Sequence, residues 1–265
     1  MIKILFIGDI YGKTGRNAVR RFLPIIKEKH DLDLVIANGE NSTHGKGMSK
    51  KVYDELMDIG VDAFTMGNHF LDKKDIINWV DTVNNVVRPA NVGFTTPGKG
   101  SIVLDTKKGK VRLTNLIGRI FIKEFDKGNP FDVIDSIIEN SEEKIHIIDM
   151  HAEATSEKRS LSYYVDGRVS AVLGTHTHIQ TADERILAGG TATITDVGFC
   201  GAYESVLGIN IPGAIEYCKA GYSKNTSPAE GEEEFNGVVL EIDITTGKTK
   251  SIKRVNLRPD KNEGI

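Results

Sequence analysis

Short apolar runs alternate with amphipathic stretches along the first third of the chain. The apolar runs have the length of buried strands, whereas the stretches between them repeat their apolar positions at helical spacing. The predicted elements are, in order, strand 2–7, helix 14–29, strand 34–37, helix 50–58 with Ser49 as N-cap and Gly60 at its end, strand 63–66 and helix 73–83. Strict alternation of strand and helix favours a parallel sheet with right-handed crossovers.

Hairpins and isolated strands replace this alternation after a loop rich in Pro, Gly and Asn at residues 88–100. The elements predicted beyond it are a hairpin of 101–104 with 110–116, helix 131–140, strands 144–149 and 169–173, and hairpins of 185–187 with 191–195 and 234–244 with 249–257. No long polar linker and no internal repeat interrupts the pattern. We therefore predict one α/β domain over residues 1–265, with a mostly parallel half and a mixed half, in which two β-sheets pack together.

Composition narrows the class of protein. The chain has 265 residues, a formal net charge of -3 and no long run of charges of one sign. A general nucleic-acid-binding surface is therefore not expected, although a local site can still bind a small nucleotide. Only Cys200 and Cys218 are present, and no apolar stretch reaches the roughly 18 residues that a membrane helix needs. We expect a cytoplasmic protein without a membrane segment, and a homo-oligomer only because such assemblies are common.

Polar residues directly follow five of the predicted strands. In an open α/β sheet, ligands bind beyond the carboxyl ends of the strands, so these five segments are expected to converge on one rim. Four of the seven histidines lie in them. The segments are Gly8-Asp9, Asn38-Gly39-Glu40-Asn41, Gly67-Asn68-His69, Asp149-Met150-His151-Ala152-Glu153 and Gly174-Thr175-His176-Thr177-His178.

The residue types in these segments suit a pair of divalent metal ions. Carboxylate, imidazole and amide oxygen are ligands for Mn, Fe or Zn, and thiolates are absent. Two ions roughly 3.5–4 Å apart can hold a hydroxide between them and bind phosphate oxygens. Four positive charges against the two negative charges of Asp9 and Glu40 leave such a site cationic, which suits an anionic phosphate ester.

Each residue on its own also has a structural explanation. Asp9 could cap the next helix, residues 38–41 could form a turn, and His151 could be a hydrogen-bonded core residue. The Gly-Asn-His and His-x-His segments favour a metal more strongly, the latter because two imidazoles on one extended segment commonly serve a metal. Taken together, the five segments predict a metal site. His30 at a helix end and His146 within a strand are expected to be structural.

The order of these motifs resembles that of the calcineurin-like metallophosphoesterase superfamily. The chain is especially similar to its bacterial YmdB-type branch, which includes 2',3'-cyclic nucleotide phosphodiesterases. The similarity runs over nearly the whole chain and includes Ala37-Asn38-Gly39-Glu40-Asn41, Asp166-Gly167-Arg168-Val169, Gly174-Thr175-His176-Thr177-His178 and Thr195-Asp196-Val197-Gly198. The resemblance implies two packed mixed β-sheets flanked by helices, and a binuclear metal-dependent phosphodiesterase.

The sequence departs from the wider superfamily at three positions. Tyr11 stands where an Asp-x-His motif usually supplies a histidine, Glu40 replaces the bridging aspartate, and Phe70 replaces the acidic residue after Gly-Asn-His. The first two changes match the YmdB-type pattern, in which the residue after the bridging glutamate supplies the missing ligand. The resemblance then implies one metal ion held by Asp9, Glu40, Asn41 and His178, and a second held by Glu40, Asn68, His151 and His176. An oxygen-rich first site favours iron or manganese, with zinc or magnesium as alternatives.

His69 follows a metal ligand without being needed as one. We expect it to be the general acid that protonates the leaving alkoxide when hydroxide held between the ions attacks phosphorus. Asp72 is the candidate partner that orients His69, since Phe70 cannot. His44 could contact the substrate, although a loop histidine without a role is at least as frequent. The resemblance favours a cyclic nucleotide or another small phosphodiester, with loops 88–98 and 198–208 as candidate pocket walls.

The sequence also has features of other functions. Residues 8–14 resemble a phosphate-binding P-loop, but the segment is one residue short and Asp9 would repel the phosphates. A metal-binding regulatory protein with little turnover shares the fold, although an intact His69 argues against it. A phosphomonoesterase is a further alternative. A binuclear amidohydrolase usually opens with His-x-His early in the chain, whereas His176 and His178 come late.

Overall fold

The computed structural model describes residues 1–93, 95–123, 125 and 127–259. The predicted single domain over residues 1–265 includes positions outside these ranges and stays a prediction. The strands are β1 (Ile2–Ile7), β2 (Asp9–Ile10), β3 (Leu34–Asn38), β4 (Ala63–Thr65), β5 (Val86–Val87), β6 (Ser101–Thr106), β7 (Gly109–Ile117), β8 (Ile145–His151), β9 (Ala171–Thr175), β10 (Arg185–Ile186), β11 (Ala192–Ile194), β12 (Phe199–Ala202), β13 (Glu233–Ile242) and β14 (Thr249–Leu257). The α-helices are α1 (Gly12–His30), α2 (Lys50–Ile59), α3 (Ile76–Trp79), α4 (Pro130–Glu139), α5 (Thr155–Tyr164) and α6 (Ile211–Ala220).

Two mixed β-sheets form the centre of the molecule, as predicted. The first has the order β2-β12-β13-β1-β3-β4-β5, with β14 also paired to β13. Its pairs from β1 to β5 are parallel, whereas β13 is antiparallel to β1 and to β14. The second sheet has the order β10-β11-β9-β8-β7-β6, parallel from β11 to β7 and antiparallel at both edges. The strands of the first part of the chain thus pair in parallel and the later strands pair both ways, as expected, but the C-terminal hairpin joins the first sheet and makes it mixed.

The side chains of β1 show how the layers are built. Successive residues of a strand point to opposite faces, and both faces of β1 are buried. Ile2, Ile4 and Phe6 join residues of the second sheet in a core between the sheets, whereas Leu5 and Ile7 join α1 and α2 in a core on the outer face. A third core packs α4 and α5 on the outer face of the second sheet. A strand buried on both faces explains the continuous apolar run from which β1 was predicted.

Several local predictions need correction. Ser49 and Gly60 are the caps of α2, but the Ser49 side chain makes no capping hydrogen bond, since it accepts a bond from Thr43 instead. The predicted helix 73–83 contains only the short α3 and a 3-10 turn at Val80–Thr82. The sequence pattern did not predict the short strands β2, β5 and β12, which have two to four residues each, or the helices α5 and α6.

Candidate metal centre

The five polar segments converge at the carboxyl ends of β1, β3 and β4 in the first sheet and of β8 and β9 in the second, where their side chains contact one another. The side chains of Asp9, Glu40 and His151 have at most 1% of their surface exposed. Asn68 and Asn41 are also buried. Buried carboxylates and amides must be paired or bound to a cation, so the atoms that face one another in this cluster decide what it can hold.

Three side chains surround the amide of Asn41. Its Nδ2 lies 3.5 Å from Asp9 Oδ1, 3.3 Å from Glu40 Oε1 and 3.2 Å from His178 Nε2. The amide nitrogen and oxygen are nearly isosteric, and a half-turn of the side chain exchanges them. After that half-turn, two carboxylates, an amide oxygen and an imidazole nitrogen face one point, which is a ligand set for a divalent cation.

A second group of atoms surrounds Nε2 of His151. Asn68 Oδ1 and Glu40 Oε1 both lie 3.0 Å from it, and His176 Nδ1 lies 3.1 Å from it. One ring nitrogen carries at most one proton, so hydrogen bonding satisfies only one of these contacts. A cation held among the four atoms would satisfy all of them. Glu40 Oε1 belongs to both groups, which is the position of a bridging ligand.

The outer nitrogen of each histidine is held by an acceptor. His178 Nδ1 donates to the carbonyl of Leu207 at 3.0 Å, and His176 Nε2 lies 3.2 Å from Glu153 Oε2. His151 Nδ1 lies 2.8 Å from the hydroxyl of Thr175, which itself donates to a buried aspartate. With a metal ion at the centre, these bonds would hold the ring proton on the outer nitrogen and leave the inner lone pair free to bind the ion, which is the arrangement of metal-binding histidines.

The backbone of the His-x-His segment is not extended, contrary to the expectation. His176 and His178 have φ values of 100° and 65°, in a region that residues with a side chain rarely adopt. Asp196 holds the segment in place by accepting bonds from the backbone N–H and the hydroxyl of Thr177 at 3.0 and 2.7 Å. The ammonium of Lys158, buried like Asp196, lies 2.8 Å from the same carboxylate. Strained backbone of this kind is typical of functional sites.

Close packing leaves no space for a side chain at Gly67. A Cβ at this position would lie 2.3 Å from Glu40 Oε2 and 2.4 Å from His151 Nε2. The chain after β4 therefore passes directly against the centre, which brings Asn68 and His69 to it. This close approach explains why the Gly-Asn-His motif opens with glycine.

Burial and opposite charges set the ionisation of the centre. Burial raises the pKa of Asp9 well above its usual value, and the negative charge of Glu40 adds to this effect. Burial disfavours ionised Glu40 as well, but the charge and hydrogen bond of His151 lower the pKa of Glu40 to about 2. Burial disfavours protonated His151, yet its attraction to Glu40 raises the pKa of His151 to about 9. The cluster therefore stabilises positive charge between its carboxylates, which is the requirement for binding a metal ion.

His69 is connected both to the centre and to solvent. Its backbone N–H donates to Glu40 Oε2 at 3.0 Å, and its ring Nδ1 lies 2.9 Å from Asp72 Oδ2. The His69 side chain is 23% exposed, so Nε2 can meet a substrate. The predicted contact with Asp72 is confirmed. Phe70, at the position of the usual acidic residue, is fully buried in the core next to α2 and packs away from the centre.

His44 and Tyr11 lie beside the centre. Tyr11 packs edge-on against His178 with ring centroids 5.7 Å apart, and burial raises the pKa of its hydroxyl. His44 is exposed and lines, with Tyr11, a groove of about 540 Å³. Val206 and Leu207 of the predicted wall 198–208 contribute to this groove, whereas the described part of 88–98 does not. His30 ends α1 and His146 is buried in β8, as expected.

Three supporting residues were missed by sequence reasoning. Leu207 acts through a backbone carbonyl, which has no signal in the sequence. Lys158 was missed together with α5, and Asp196 was noted only as part of a motif. A lysine on the polar side of an amphipathic helix is expected to be exposed, and only its burial against Asp196 distinguishes Lys158.

Comparison with known proteins finds close relatives over nearly the whole chain. The family model described as YmdB-like protein matches residues 5–255. A 2',3'-cyclic-nucleotide 2'-phosphodiesterase of Bacillus subtilis is 45% identical over 261 residues, which cover 98% of each chain. A crystal structure of a phosphatase from Mycoplasma pneumoniae superimposes with a TM-score of 0.92 at 40% identity, covering 97% of this chain and 93% of the other. A hypothetical protein from Thermus thermophilus gives 0.90 at 37% identity, covering 97% and 99%.

Two packed mixed sheets with a histidine- and carboxylate-rich centre at their carboxyl edge define a metallophosphoesterase, an enzyme that hydrolyses phosphoesters. Within this class, the chain belongs to the YmdB-like protein family. Glu40, His151 and His176 have ligand atoms within 4.8 Å of one another and form a candidate metal site. No helix in the described part of the chain is long and apolar enough to cross a membrane.

Proposed function

We propose that this protein is a phosphodiesterase that binds two metal ions and hydrolyses 2',3'-cyclic nucleotides. The observation that carries the proposal is the shared position of Glu40 Oε1 in two separate groups of ligand atoms. The first group is Asp9, Glu40, Asn41 and His178; the second is Glu40, Asn68, His151 and His176. The Bacillus subtilis relative, whose name states this substrate, supports the choice among phosphodiesters.

The ligand set favours iron or manganese. The first group offers three oxygen ligands and one nitrogen ligand, whereas two imidazoles in the second make it softer. Two bound ions would supply an activated water and neutralise charge that develops on the phosphoryl oxygens. The protein holds the two groups of ligand atoms at a fixed separation, because the buried, hydrogen-bonded Glu40 carboxylate belongs to both.

His69 has the position of a general acid. In the proposed reaction water adds to phosphorus, the bond from phosphorus to the ribose O2' breaks, and His69 Nε2 gives its proton to that oxygen. The product is a nucleoside 3'-phosphate. Asp72 accepts a hydrogen bond from Nδ1 of His69, so its carboxylate fixes the ring with Nε2 directed away from Asp72.

Hydrolysis of 2',3'-cyclic AMP by metal-stripped protein, alone and after addition of Mn²⁺ or Fe²⁺, tests the proposal. We expect turnover only with metal, and two ions per chain by elemental analysis. His69→Ala should lower kcat by roughly 10²–10⁴-fold at unchanged metal content. With bis(p-nitrophenyl) phosphate, whose leaving group needs no proton, the same variant should lose much less activity.

Two outcomes would overturn parts of the proposal. A fall of metal content that matches the fall in kcat would make His69 a ligand and not an acid. Two bound ions without turnover of 2',3'-cyclic AMP would leave a metal-binding regulatory protein, or an enzyme for another phosphoester such as a monoester.

A further inference from the structure

The groove next to the centre opens directly from one of the predicted ligands. Tyr11 packs edge-on against His178, and the carbonyl of Leu207 accepts the bond from His178 Nδ1. Both Tyr11 and Leu207 also line the groove. A ligand whose phosphate lies at the centre therefore has this groove as its neighbour on the His178 side.

Tyr11 forms a fixed boundary between the groove and the centre. A Cβ at Gly45 would lie 2.7 Å from the Tyr11 hydroxyl, and a Cβ at Gly208 would lie 2.5 Å from the Tyr11 ring. Two loops thus pack their glycines against the tyrosine, both with positive φ. This packing fixes the ring in position, so it offers a preformed surface next to His178.

The groove has the size and chemistry of a nucleoside site. Its volume of about 540 Å³ lies within the usual range of roughly 300–1,000 Å³ for small-molecule sites. Tyr217 of α6 and Tyr222 just beyond it face the groove and are 55% and 64% exposed. Within the described lining, Lys46 is the cationic residue and no carboxylate is present, which suits an anionic ligand. Exposed aromatic rings beside an anion-binding site are the usual means of stacking a base.

We propose that the groove bounded by Tyr11, Leu207, Tyr217 and Tyr222 binds the nucleobase of the substrate by stacking. This assignment rests on the proposed hydrolysis of cyclic nucleotides, for which it supplies the specificity site. With the base in the groove, the cyclic phosphate of the same substrate would lie at the centre, on the other side of His178.

A base-free substrate separates this assignment from the proposed reaction. The substrates are 2',3'-cyclic AMP and the 2',3'-cyclic phosphate of methyl riboside, which has no base. Wild-type enzyme should have a kcat/KM for the cyclic nucleotide at least about tenfold higher, because stacking of one base contributes on the order of tenfold or more in affinity. Equal values for the two substrates would overturn the groove assignment and leave the phosphodiesterase intact.

The tyrosines are tested in the Tyr217→Ala/Tyr222→Ala double variant. We expect the ratio of the two kcat/KM values to fall by roughly tenfold, mainly through KM for the nucleotide. Tyr163→Ala is the matched control, since Tyr163 is also 55% exposed but lies on α5 and lines no part of the groove. An unchanged ratio in the folded double variant would overturn the assignment.

A binding measurement tests the groove even if the protein does not catalyse the proposed reaction. If wild-type enzyme hydrolyses neither substrate, the proposed function fails, and calorimetric binding of adenosine 3'-phosphate against ribose 3-phosphate judges the groove alone. Tighter binding of the nucleotide that is lost in the double variant would support the base site. Equal binding of the two phosphates would reject it, as would binding that the double variant leaves unchanged.

Discussion

The carboxylate of Glu40 accepts a hydrogen bond from the backbone N–H of His69 at 3.0 Å, while its other oxygen lies 3.0 Å from His151 Nε2. One side chain therefore positions both a candidate ligand and the candidate acid. His69 is attached to the centre through its backbone, which leaves its ring free to pair with Asp72. This arrangement separates metal binding from proton transfer, so single substitutions can test the two separately.

Asp72→Asn tests the pair that orients His69. The variant keeps the shape of the side chain but removes the charge of the carboxylate, whose Oδ2 lies 2.9 Å from His69 Nδ1. We expect kcat for 2',3'-cyclic AMP to fall by roughly 10- to 100-fold, less than the loss of the acid itself, with two ions still bound. Steady-state kinetics measure kcat, and elemental analysis measures the number of bound ions. Asp132→Asn, at an exposed position in α4, serves as the control, and a wild-type kcat in Asp72→Asn would contradict the pairing.

Asn41→Leu tests the group of atoms at the first site. Leucine has the same number and branching of side-chain heavy atoms as asparagine but no ligand atom, and it leaves Asp9, Glu40 and His178 facing an apolar group. We expect metal content to fall from two ions towards one and kcat to fall by at least roughly 10²-fold. Asn41→Asp keeps an oxygen ligand and should retain both ions. Two tightly bound ions in Asn41→Leu would show that Asn41 is not a ligand.

Lys158→Met tests the support of the strained His176 and His178 segment. Lys158 and Asp196 are both buried, with side-chain exposures of 3% and 0%. Removal of the ammonium leaves the carboxylate uncompensated, which costs about 3–5 kcal/mol in the free energy of unfolding. Because Asp196 also holds Thr177, we expect metal affinity to fall by roughly 10- to 100-fold as well.

Urea unfolding and metal titration check the two effects of Lys158→Met separately. Arg159→Met is the matched control, since Arg159 pairs with Asp183 in a partly exposed position on the same helix. A surface pair of this kind contributes at most about 1 kcal/mol. Equal destabilisation of the two variants would contradict the role given to the buried pair.

The local parts of this site could be predicted, and the long-range parts could not. Asp72 lies three residues from His69, and the ligands follow strand ends that apolar runs identify. By contrast, the left-handed backbone of His176 depends on contacts with Asp196, far along the chain. The two-residue β2 exists because it pairs with β12, and no local pattern specifies that pairing. Elements of this length are stabilised by their partners and not by their own propensity.

His146 makes folding stability depend on pH independently of the centre. It is buried in β8 with Nε2 2.8 Å from the Thr114 hydroxyl. Burial, and then the charge of Arg112, lower the pKa of His146 from 6.5 to about 3. The unfolded chain therefore takes up this proton first as pH falls. The stability that neutral His146 contributes is fully present above pH 6.5 and is lost progressively between pH 6.5 and pH 3.

The pH dependence is measured by urea unfolding of metal-stripped wild type and His146→Asn between pH 4.5 and 7.5. Across the acidic part of this range, the free energy of unfolding should fall by roughly 1.4 kcal/mol per pH unit more in the wild type than in the variant. The reason is that the unfolded wild type binds one additional proton. His44→Asn removes a histidine from an exposed loop and should follow the wild type. Parallel curves for wild type and His146→Asn would mean that His146 becomes protonated equally in the folded and unfolded chains.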